Sequence, residues 1–526
     1  MIHEVQASVE DGPHTIGRWL RERAESAPQK VAIDDGGVEI DYAQLHARVE
    51  RLARILAEAG YGPSHRIATV SGNSSDLVVA FFACAFLGIA LVPLSWRLTP
   101  TELAALLRRS DAALLLVEEA YSTLAASALE VIDAPEQAWT YLGEKGAEVA
   151  VPACSAPVAP RPVEDDDPLL VIFTSGSEAA PKGVVLTHLN CYFNNLALCQ
   201  AMPMTDEDVV LAILPQYHVA AWNVQPLLAW WVGATVVLER SFTPRRVLRL
   251  IEERRVSIMM GVPTQYQLLS DVPEWQEADL SSLRIALVGG ATVPHRLATT
   301  WAERGVPLTQ GYGLTEAGPN VLFLPAEDLE RYPGAVGRPY PSVEVLLADP
   351  ASHRVLEGET AGELWVSGPS IFAEYLGDRD ATAQAHAGDW LRTGDLLARD
   401  QDGVYRVIDR IKDIYVTGGE NVAPAEVERV LMTHPLLTAA AVVGAPDPVW
   451  GERGVAFVTA RGPVSEDEVL AHARARLAAF KLPVRVVVVD ELPRSTIDKV
   501  ARRKLRDLAR RLIAEGRQEV GDAPRN

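Results

Sequence analysis

Cysteine is scarce: four occur in 526 residues, Cys84, Cys154, Cys191 and Cys199. They form no Cys-x-x-Cys pair and no Cys/His ligand spacing, which argues against a disulfide framework and against zinc. Positive charge is also short, 49 Lys and Arg against 70 Asp and Glu, a formal charge of −21 with His neutral. A field of that sign repels a phosphate backbone, so neither nucleic acid nor an anionic membrane is expected as a partner. A polyanionic small molecule would have to be met by local cations. The start, Met1-Ile2-His3-Glu4, leads into no apolar h-region, so no signal peptide is expected. The uncharged run Leu77 to Leu94 reaches the lower length limit of a membrane span. Gly88 and Pro93 interrupt it, however, and Ser74-Ser75-Asp76 in front is a helix-cap pattern. It reads as a buried helix to Leu87, a stop at Gly88 and a strand Ile89–Val92. A cytoplasmic protein with no integral membrane span is expected.

What is present is an ordinary globular composition, 48% apolar and 23% charged. At about 150 residues per domain, the length suits three to four packing units. Short β-branched runs (Ile67–Val70, Leu169–Phe173, Ala234–Leu238, Ser257–Met260, Arg284–Val288) alternate with helical stretches such as Pro244–Arg254. That alternation predicts an α/β fold with mixed and largely parallel sheets. Val151–Pro168, rich in Pro, Ala and acid, reads as a linker or exposed loop. Beyond Arg410 a separate pattern begins, with helices at Glu426–Thr433 and Ser465–Ala479 and strands at Ala439–Val443, Val455–Thr459 and Val484–Val489. This stretch, roughly 115 residues, is enough for a small α+β domain. Glu515–Asn526 has few apolar residues and reads as a frayed tail.

Three segments carry chemistry. In Phe173-Thr174-Ser175-Gly176-Ser177-Glu178-Ala179-Ala180-Pro181-Lys182-Gly183 a buried strand runs into a hydroxyl- and glycine-bearing loop ending in a lysine. Hydroxyls and backbone N–H groups can hold phosphate oxygens while an ammonium offsets their charge. The spacing is not that of a Walker A loop. Gln310-Gly311-Tyr312-Gly313-Leu314-Thr315-Glu316 offers an aromatic for base stacking, with a hydroxyl and a carboxylate for Mg²⁺ or phosphate. Trp390-Leu391-Arg392-Thr393-Gly394-Asp395 sets an acid after a turn glycine, suited to accepting ribose hydroxyls. Singly, each segment also reads as an ordinary turn.

Together they resemble the adenylate-forming superfamily: acyl- and aryl-CoA synthetases, adenylation domains of peptide synthetases and firefly-type luciferases. The resemblance extends from about Thr15 to Arg506, with the motifs in family order. It includes Leu214-Pro215-Gln216-Tyr217-His218, Gly289-Gly290-Ala291, Gly362-Glu363-Leu364, Asp409-Arg410-Ile411-Lys412-Asp413, Thr417-Gly418-Gly419-Glu420-Asn421 and Pro493-Arg494-Ser495-Thr496-Ile497-Asp498-Lys499. It implies a large N-terminal domain of several subdomains (1–409), a hinge (410–412) and a small mobile C-terminal domain (413–514). It further implies that Thr174, Ser175, Gly176, Ser177 and Lys182 cover the β- and γ-phosphates of ATP. Gly290, Ala291, Gly311 and Tyr312 would enclose adenine, while Asp395 and Arg410 hold the ribose. Thr315 would touch the α-phosphate and Glu316 hold Mg²⁺. His218, Val219, Trp222 and Val262 would border the acyl group. Lys412 would be the pivot, Lys499 the catalytic lysine, and Thr417, Gly418 and Gly419 the face presented to CoA.

The chain departs from the family pattern at Glu178-Ala179, where Thr-Gly is usual, and at Asp498, where glycine precedes the lysine. A carboxylate beside a triphosphate is costly unless it faces solvent or a cation, and Ala179 limits close backbone approach. The charged catalytic groups remain, so an active enzyme is expected. It would take a small carboxylic acid, ATP and CoA to acyl-CoA, AMP and pyrophosphate. The alternatives are an acyl-AMP ligase that loads an acyl carrier protein and a non-catalytic nucleotide-binding homologue. The apolar lining around His218 points to a medium- or long-chain fatty acid first and an aryl acid next. The basic run from Lys499 to Arg511 reads as a solvated helix face, Trp230-Trp231 as core, His188 as a structural histidine, and Cys191 and Cys199 as buried thiols.

Overall fold

The computed structural model describes residues 14–132, 138–143, 151–174, 181–494 and 500–521, with side chains to residue 513. The chain divides into two compact units, Met1–Val345 with Trp365–Arg392, and Leu346–Leu364 with Thr393–Asn526.

In the first unit, β-branched runs alternating with helices build two mainly parallel sheets, as the sequence pattern requires. One sheet has nine strands. Its six central members, Val31–Asp35, Thr235–Leu238, Val209–Ala212, Ile258–Gly261, Ile285–Val288 and Leu308–Tyr312, run parallel in that spatial order. Antiparallel Val38–Asp41 closes one edge, and Leu322–Leu324 and Arg338–Pro339 close the other. The second sheet sets Pro168–Thr174, Ala90–Leu94, Arg66–Val70, Leu114–Val117 and Trp139–Tyr141 in parallel. Lys182–Thr187 turns back antiparallel against Pro168–Thr174, and Glu374–Tyr375 adds on its outer side.

The uncharged run of the sequence is a core helix, Ser75–Leu87, in which ten of its residues are buried. Ser74 caps it by accepting the Leu77 N–H, and Gly88 ends it in the left-handed region at φ +65°. The next strand is Ala90–Leu94, which takes in Pro93 and runs two residues beyond the expected Val92. No helix among the described residues is long and apolar enough to cross a membrane. Residues 151–164 carry no helix or strand, in keeping with a connecting segment.

In the second unit, Glu420–Val422, Tyr415–Thr417, Gly451–Ala460 and Leu437–Asp447 form an antiparallel sheet, with Arg485–Val488 parallel to Gly451–Ala460. Side chains alternate across it. Val442, Ala456 and Val458 pack with Val427 and Leu431 of helix Pro424–Leu431 and with Val469 of helix Glu466–Arg474. Val443, Val455 and Phe457 face Leu505 and Ala509 of the C-terminal helix instead.

Three expectations are corrected here. The C-terminal helix runs from Arg502 to Gly521, so residues 515–521 are helical where composition points to a frayed tail. The segment is rich in Arg, Leu, Ala, Glu and Gln and has no proline before Gly521, so helix propensity continues through it despite Gly516. The basic run is also not simply a solvated face. Arg502 and Arg506 reach Asp413, and Arg502 also pairs with Glu428 at 2.8 Å. The helix expected over Ser465–Ala479 stops earlier, at Arg474, and a separate short turn comes after it at Ala479–Lys481.

Candidate active site

In an open parallel sheet, ligands gather beyond the carboxyl ends of the strands, where loops leave the sheet and backbone groups are unpaired. The first unit places its candidate residues there. Strand Val209–Ala212 leads to His218, Ile258–Gly261 to Val262, Ile285–Val288 to Gly290 and Ala291, and Leu308–Tyr312 to Thr315 and Glu316. Three of these four strands, those ending at Gly261, Val288 and Tyr312, are successive neighbours, with the His218 strand beside the first.

Buried amides hold these loops. Gln310 accepts the Val293 N–H at 2.8 Å and donates to the carbonyls of Ala291 and Gly311 at 3.3 and 2.9 Å. It therefore ties the Gly290-Ala291 loop to the Gly311-Tyr312 strand end. Gly290 takes φ +78°, a conformation that favours glycine, and the nearest atom to a Cβ there would be Val262 Cγ1. The adenine candidates Gly290, Ala291, Gly311 and Tyr312 are thus brought together with Val262. Asn73 fastens the His218 loop, donating to Leu214 O and accepting from Gln216 N, both at 2.9 Å. His218 is half-buried with its ring 4.6 Å from that of Tyr217, and Val219 is buried. Trp222 is wholly buried, stacked on Phe81 at 4.6 Å, and its indole N–H donates to Gln216 O at 2.7 Å. It backs the loop from the core.

Thr315 and Glu316 lie in a one-turn helix, Thr315–Ala317, that Gly318 ends at φ +96°. Four asparagines fix the chain from Gly318 to Asn320, and the sequence reading missed them. Asn223 donates to Gly318 O at 2.7 Å, Asn194 donates to Asn223 O at 2.7 Å and accepts from Asn320 N at 3.1 Å, and Asn195 donates to Asn223 Oδ1 at 3.3 Å. All four are buried. Most polar groups in a core are paired, and here, among the described residues, all but Asn195 Oδ1 of the side-chain oxygens and amides named in the network have partners, so the network favours one position for the turn. Its only trace in sequence is polar residues recurring within the otherwise apolar helix His188–Ala201.

Tyr375 was also missed. Its hydroxyl donates to Glu316 Oε1 at 2.9 Å, and Lys182 Nζ lies over its ring, 4.9 Å from the centroid. Burial, and after it the charge of Glu316, push the tyrosine hydroxyl far above its ordinary range, so it remains a donor. Lys182 opens its strand directly opposite Thr174. The rest of the expected phosphate loop, Ser175, Gly176 and Ser177 with the departures Glu178 and Ala179, lies outside the described residues.

Within the second unit, the antiparallel register sets Asp395 opposite Arg410, and Arg410 Nε lies 3.1 Å from Asp395 Oδ1. Asp395 is buried while Arg410 is exposed. The turn expected at Gly394 is corrected: Gly394 and Asp395 lie inside strand Trp390–Arg399, with Gly394 at φ +70°. The Gly394 N–H donates to Glu363 Oε1 at 3.2 Å, which joins the Gly-Glu-Leu motif to the Gly-Asp pair. Lys412 lies in a short turn, Ile411–Asp413. Thr417 is buried, and Gly418 and Gly419 form an exposed turn at φ +59° and +89°, with the Gly418 N–H donating to Trp450 O at 2.8 Å. Arg494 and Val500 pair as an antiparallel bridge, while Lys499 and Asp498 lie outside the described residues. The buried thiols and structural histidine are as expected. Cys191 and Cys199 are buried, and His188 is wholly buried, its Nδ1 accepting the Ile16 N–H at 3.0 Å.

The chain belongs to the AMP-binding enzyme family, in the acyl-CoA synthetase type of the adenylate-forming superfamily: the family model matches residues 20–376 and the model of its C-terminal domain residues 426–499. Membership makes it an AMP-forming ligase. Feruloyl-CoA synthase of an Amycolatopsis species is 39% identical over 93% of this chain and 98% of its own length. Indoleacetate–CoA ligase of Aromatoleum aromaticum is 35% identical over 94% and 98%. The structure of o-succinylbenzoate CoA synthetase from Bacillus subtilis in complex with its acyl-adenylate intermediate superposes with a TM-score of 0.83 at 30% identity, covering 94% of this chain and 98% of that one.

Proposed function

We propose that the protein activates a carboxylic acid bearing an aromatic ring with ATP and transfers the acyl group to the thiol of CoA. In the first half-reaction a carboxylate oxygen attacks the α-phosphorus and pyrophosphate leaves, forming the acyl adenylate. In the second, the CoA sulfur attacks the acyl carbon and AMP leaves. The observation that carries the nucleotide reading is the pairing of a cation, Lys182, and an acid, Glu316, on a single tyrosine, Tyr375. Phosphoryl transfer is mainly a problem of placing charge against charge, and these two groups supply both signs at one spot.

Glu316 and Thr315 give hard oxygen donors, which suit Mg²⁺, a cation that takes one or two carboxylates together with substrate phosphates. When bound, Mg²⁺ polarises phosphate oxygens. Lys182 and Thr174 would steady the outer phosphates, Thr315 the α-phosphate, and Tyr312, Gly290 and Ala291 the base. Asp395 accepts the ribose hydroxyls and Arg410 orients it. Lys499 offsets the charge that builds at the α-phosphate, and Lys412 serves as the pivot that changes its place.

The aryl preference is supported by two relatives, whose names specify feruloyl and indoleacetate groups, and by the apolar character of Val219 and Val262. A long-chain fatty acid is the second reading, favoured by a 31% identical long-chain-fatty-acid–CoA ligase of Mycobacterium tuberculosis. The test is mass spectrometry of purified protein with ATP, Mg²⁺, CoA and a panel from acetate to palmitate with benzoates, cinnamates and arylacetates. Aryl-CoA and AMP formed together, at the highest kcat/KM in the panel, meet the proposal. Palmitoyl-CoA as best product replaces aryl by fatty acid. Adenylate that persists with CoA present moves the acceptor to a carrier protein, and no adenylate with any acid leaves a nucleotide-binding homologue.

A further inference from the structure

Tyr375 is fixed from several sides before it touches either charge. Its strand pairs antiparallel with Lys182–Thr187, Tyr375 opposite Val184, and the Leu376 N–H donates to Gly183 O at 2.7 Å. Its own N–H donates to Thr382 Oγ1 at 2.9 Å, and that hydroxyl donates to Asp378 O at 2.8 Å. Phe372 packs on its ring at 4.8 Å, and the Phe372 N–H donates to Glu316 O at 2.9 Å. The same short segment, 372–375, therefore holds the backbone of Glu316 through Phe372 and its carboxylate through Tyr375. Lys182 arrives from the neighbouring strand onto the ring face.

Opposite charges brought close attract one another, and a direct Lys–Glu pair would compete with a ligand for both. A tyrosine can satisfy both without joining them, because its hydroxyl donates to an anion while its ring face attracts a cation. We propose that Tyr375 is a positioning residue that keeps Glu316 and Lys182 separately aimed, the hydroxyl on the carboxylate and the ring under the ammonium, so that both remain available to a magnesium nucleotide. This assignment rests on the reading of the site as one for ATP and Mg²⁺. It separates two arms: the hydroxyl serves the metal side through Glu316, and the ring serves the phosphate side through Lys182.

The arms can be read apart by calorimetry of ATP binding, without acid or CoA, in EDTA and in Mg²⁺, for wild type, Tyr375→Phe, Tyr375→Leu, Glu316→Gln and the Tyr375→Phe/Glu316→Gln double variant. Tyr375→Phe is expected to keep the metal-free affinity within about twofold and to cut the Mg²⁺ enhancement about tenfold, the scale of one hydrogen bond to a charged group. In the Glu316→Gln background the same change adds nothing further. Tyr375→Leu is expected to lose metal-free affinity as well, because Lys182 no longer has a ring to rest on. Full Mg²⁺ enhancement in Tyr375→Phe overturns the role. So does a parallel loss of metal-free affinity and melting temperature in Tyr375→Phe, which marks a packing residue only. Should Tyr375→Leu fail to fold, the Tyr375→Phe and Glu316→Gln cycle decides alone. Wild-type protein that binds no ATP under either condition overturns the nucleotide reading itself rather than the part given to Tyr375.

Discussion

At the scale of single residues, His188 shows how a buried group makes stability depend on pH. It is the first residue of helix His188–Ala201, whose positive end disfavours an added proton. Its Nδ1 accepts the Ile16 N–H, a bond that requires the unprotonated nitrogen. Burial lowers its pKa to about 4, although Asp167 and Asp165 nearby pull the other way. Asp165 faces His14 at 2.7 Å, and Asp167 is held by Arg161. The unfolded chain takes up the proton near the ordinary value, about 6.5. Stability from this group is therefore complete above that value and is lost as pH falls towards 4, where the folded protein also protonates. Between pH values of about 7.5 and 4.5 the loss is about 2–3 kcal/mol. His188→Gln, whose side-chain oxygen can still accept the Ile16 N–H, is expected to flatten the pH dependence of urea unfolding by that amount. Equal slopes for the two proteins would show that His188 does not set the window.

At the scale of elements, the C-terminal helix does more than cover a sheet. Arg502 donates to Val442 O at 2.7 Å and pairs with Glu428, and it also reaches Asp413, which Arg506 contacts as well. One helix thereby fastens a strand, the helix Pro424–Leu431 and the turn that carries Lys412. Removing one member of such a mostly buried set leaves its partners charged without compensation. Arg502→Met is expected to destabilise this unit by about 3 kcal/mol and to raise hydrogen exchange in residues 411–431 before the sheets of the first unit respond. Exchange that rises evenly along the chain would count against a local clamp. The sequence pointed to the sheets themselves, because runs such as Leu169–Phe173 and Arg284–Val288 carry their burial in composition. It also pointed to the backbone-shaped parts of the site, Gly290 and Gly394, because a positive φ selects glycine. It could not disclose Tyr375 or the asparagine network. Their partners are remote in the chain, 59 residues from Tyr375 to Glu316 and 95 from Asn223 to Gly318, and only the packing of helices, strands and loops brings them together. The arginine clamp was hidden for the same reason, since a basic run looks alike whether it meets water or Asp413.

At the scale of the whole molecule, one nucleotide site has to serve two reactions, and the proposed solution is rotation about Lys412. Arg410 to Asp413 is a short segment between the strand Tyr405–Arg410 and the strand Tyr415–Thr417, so few torsions would carry the change. Hinges of this kind act through φ and ψ at a few positions. Proline at 412 locks φ near −65° and removes the N–H, which should trap one arrangement without touching the groups assigned to ATP or to the acid. Lys412→Pro is therefore expected to keep adenylate formation, read by pyrophosphate exchange, within about threefold of wild type while slowing acyl-CoA formation roughly tenfold or more. The compact units, however, are joined at Val345–Leu346, Leu364–Trp365 and Arg392–Thr393, all before the proposed pivot. If the motion occurs at those earlier crossings, both half-reactions of Lys412→Pro will proceed at wild-type rates, and the pivot must be sought there instead of at residue 412. A variant that loses both half-reactions together while keeping its melting temperature would instead place residue 412 in the adenylation step. The ratio of the two rates, rather than either alone, thus locates the moving joint.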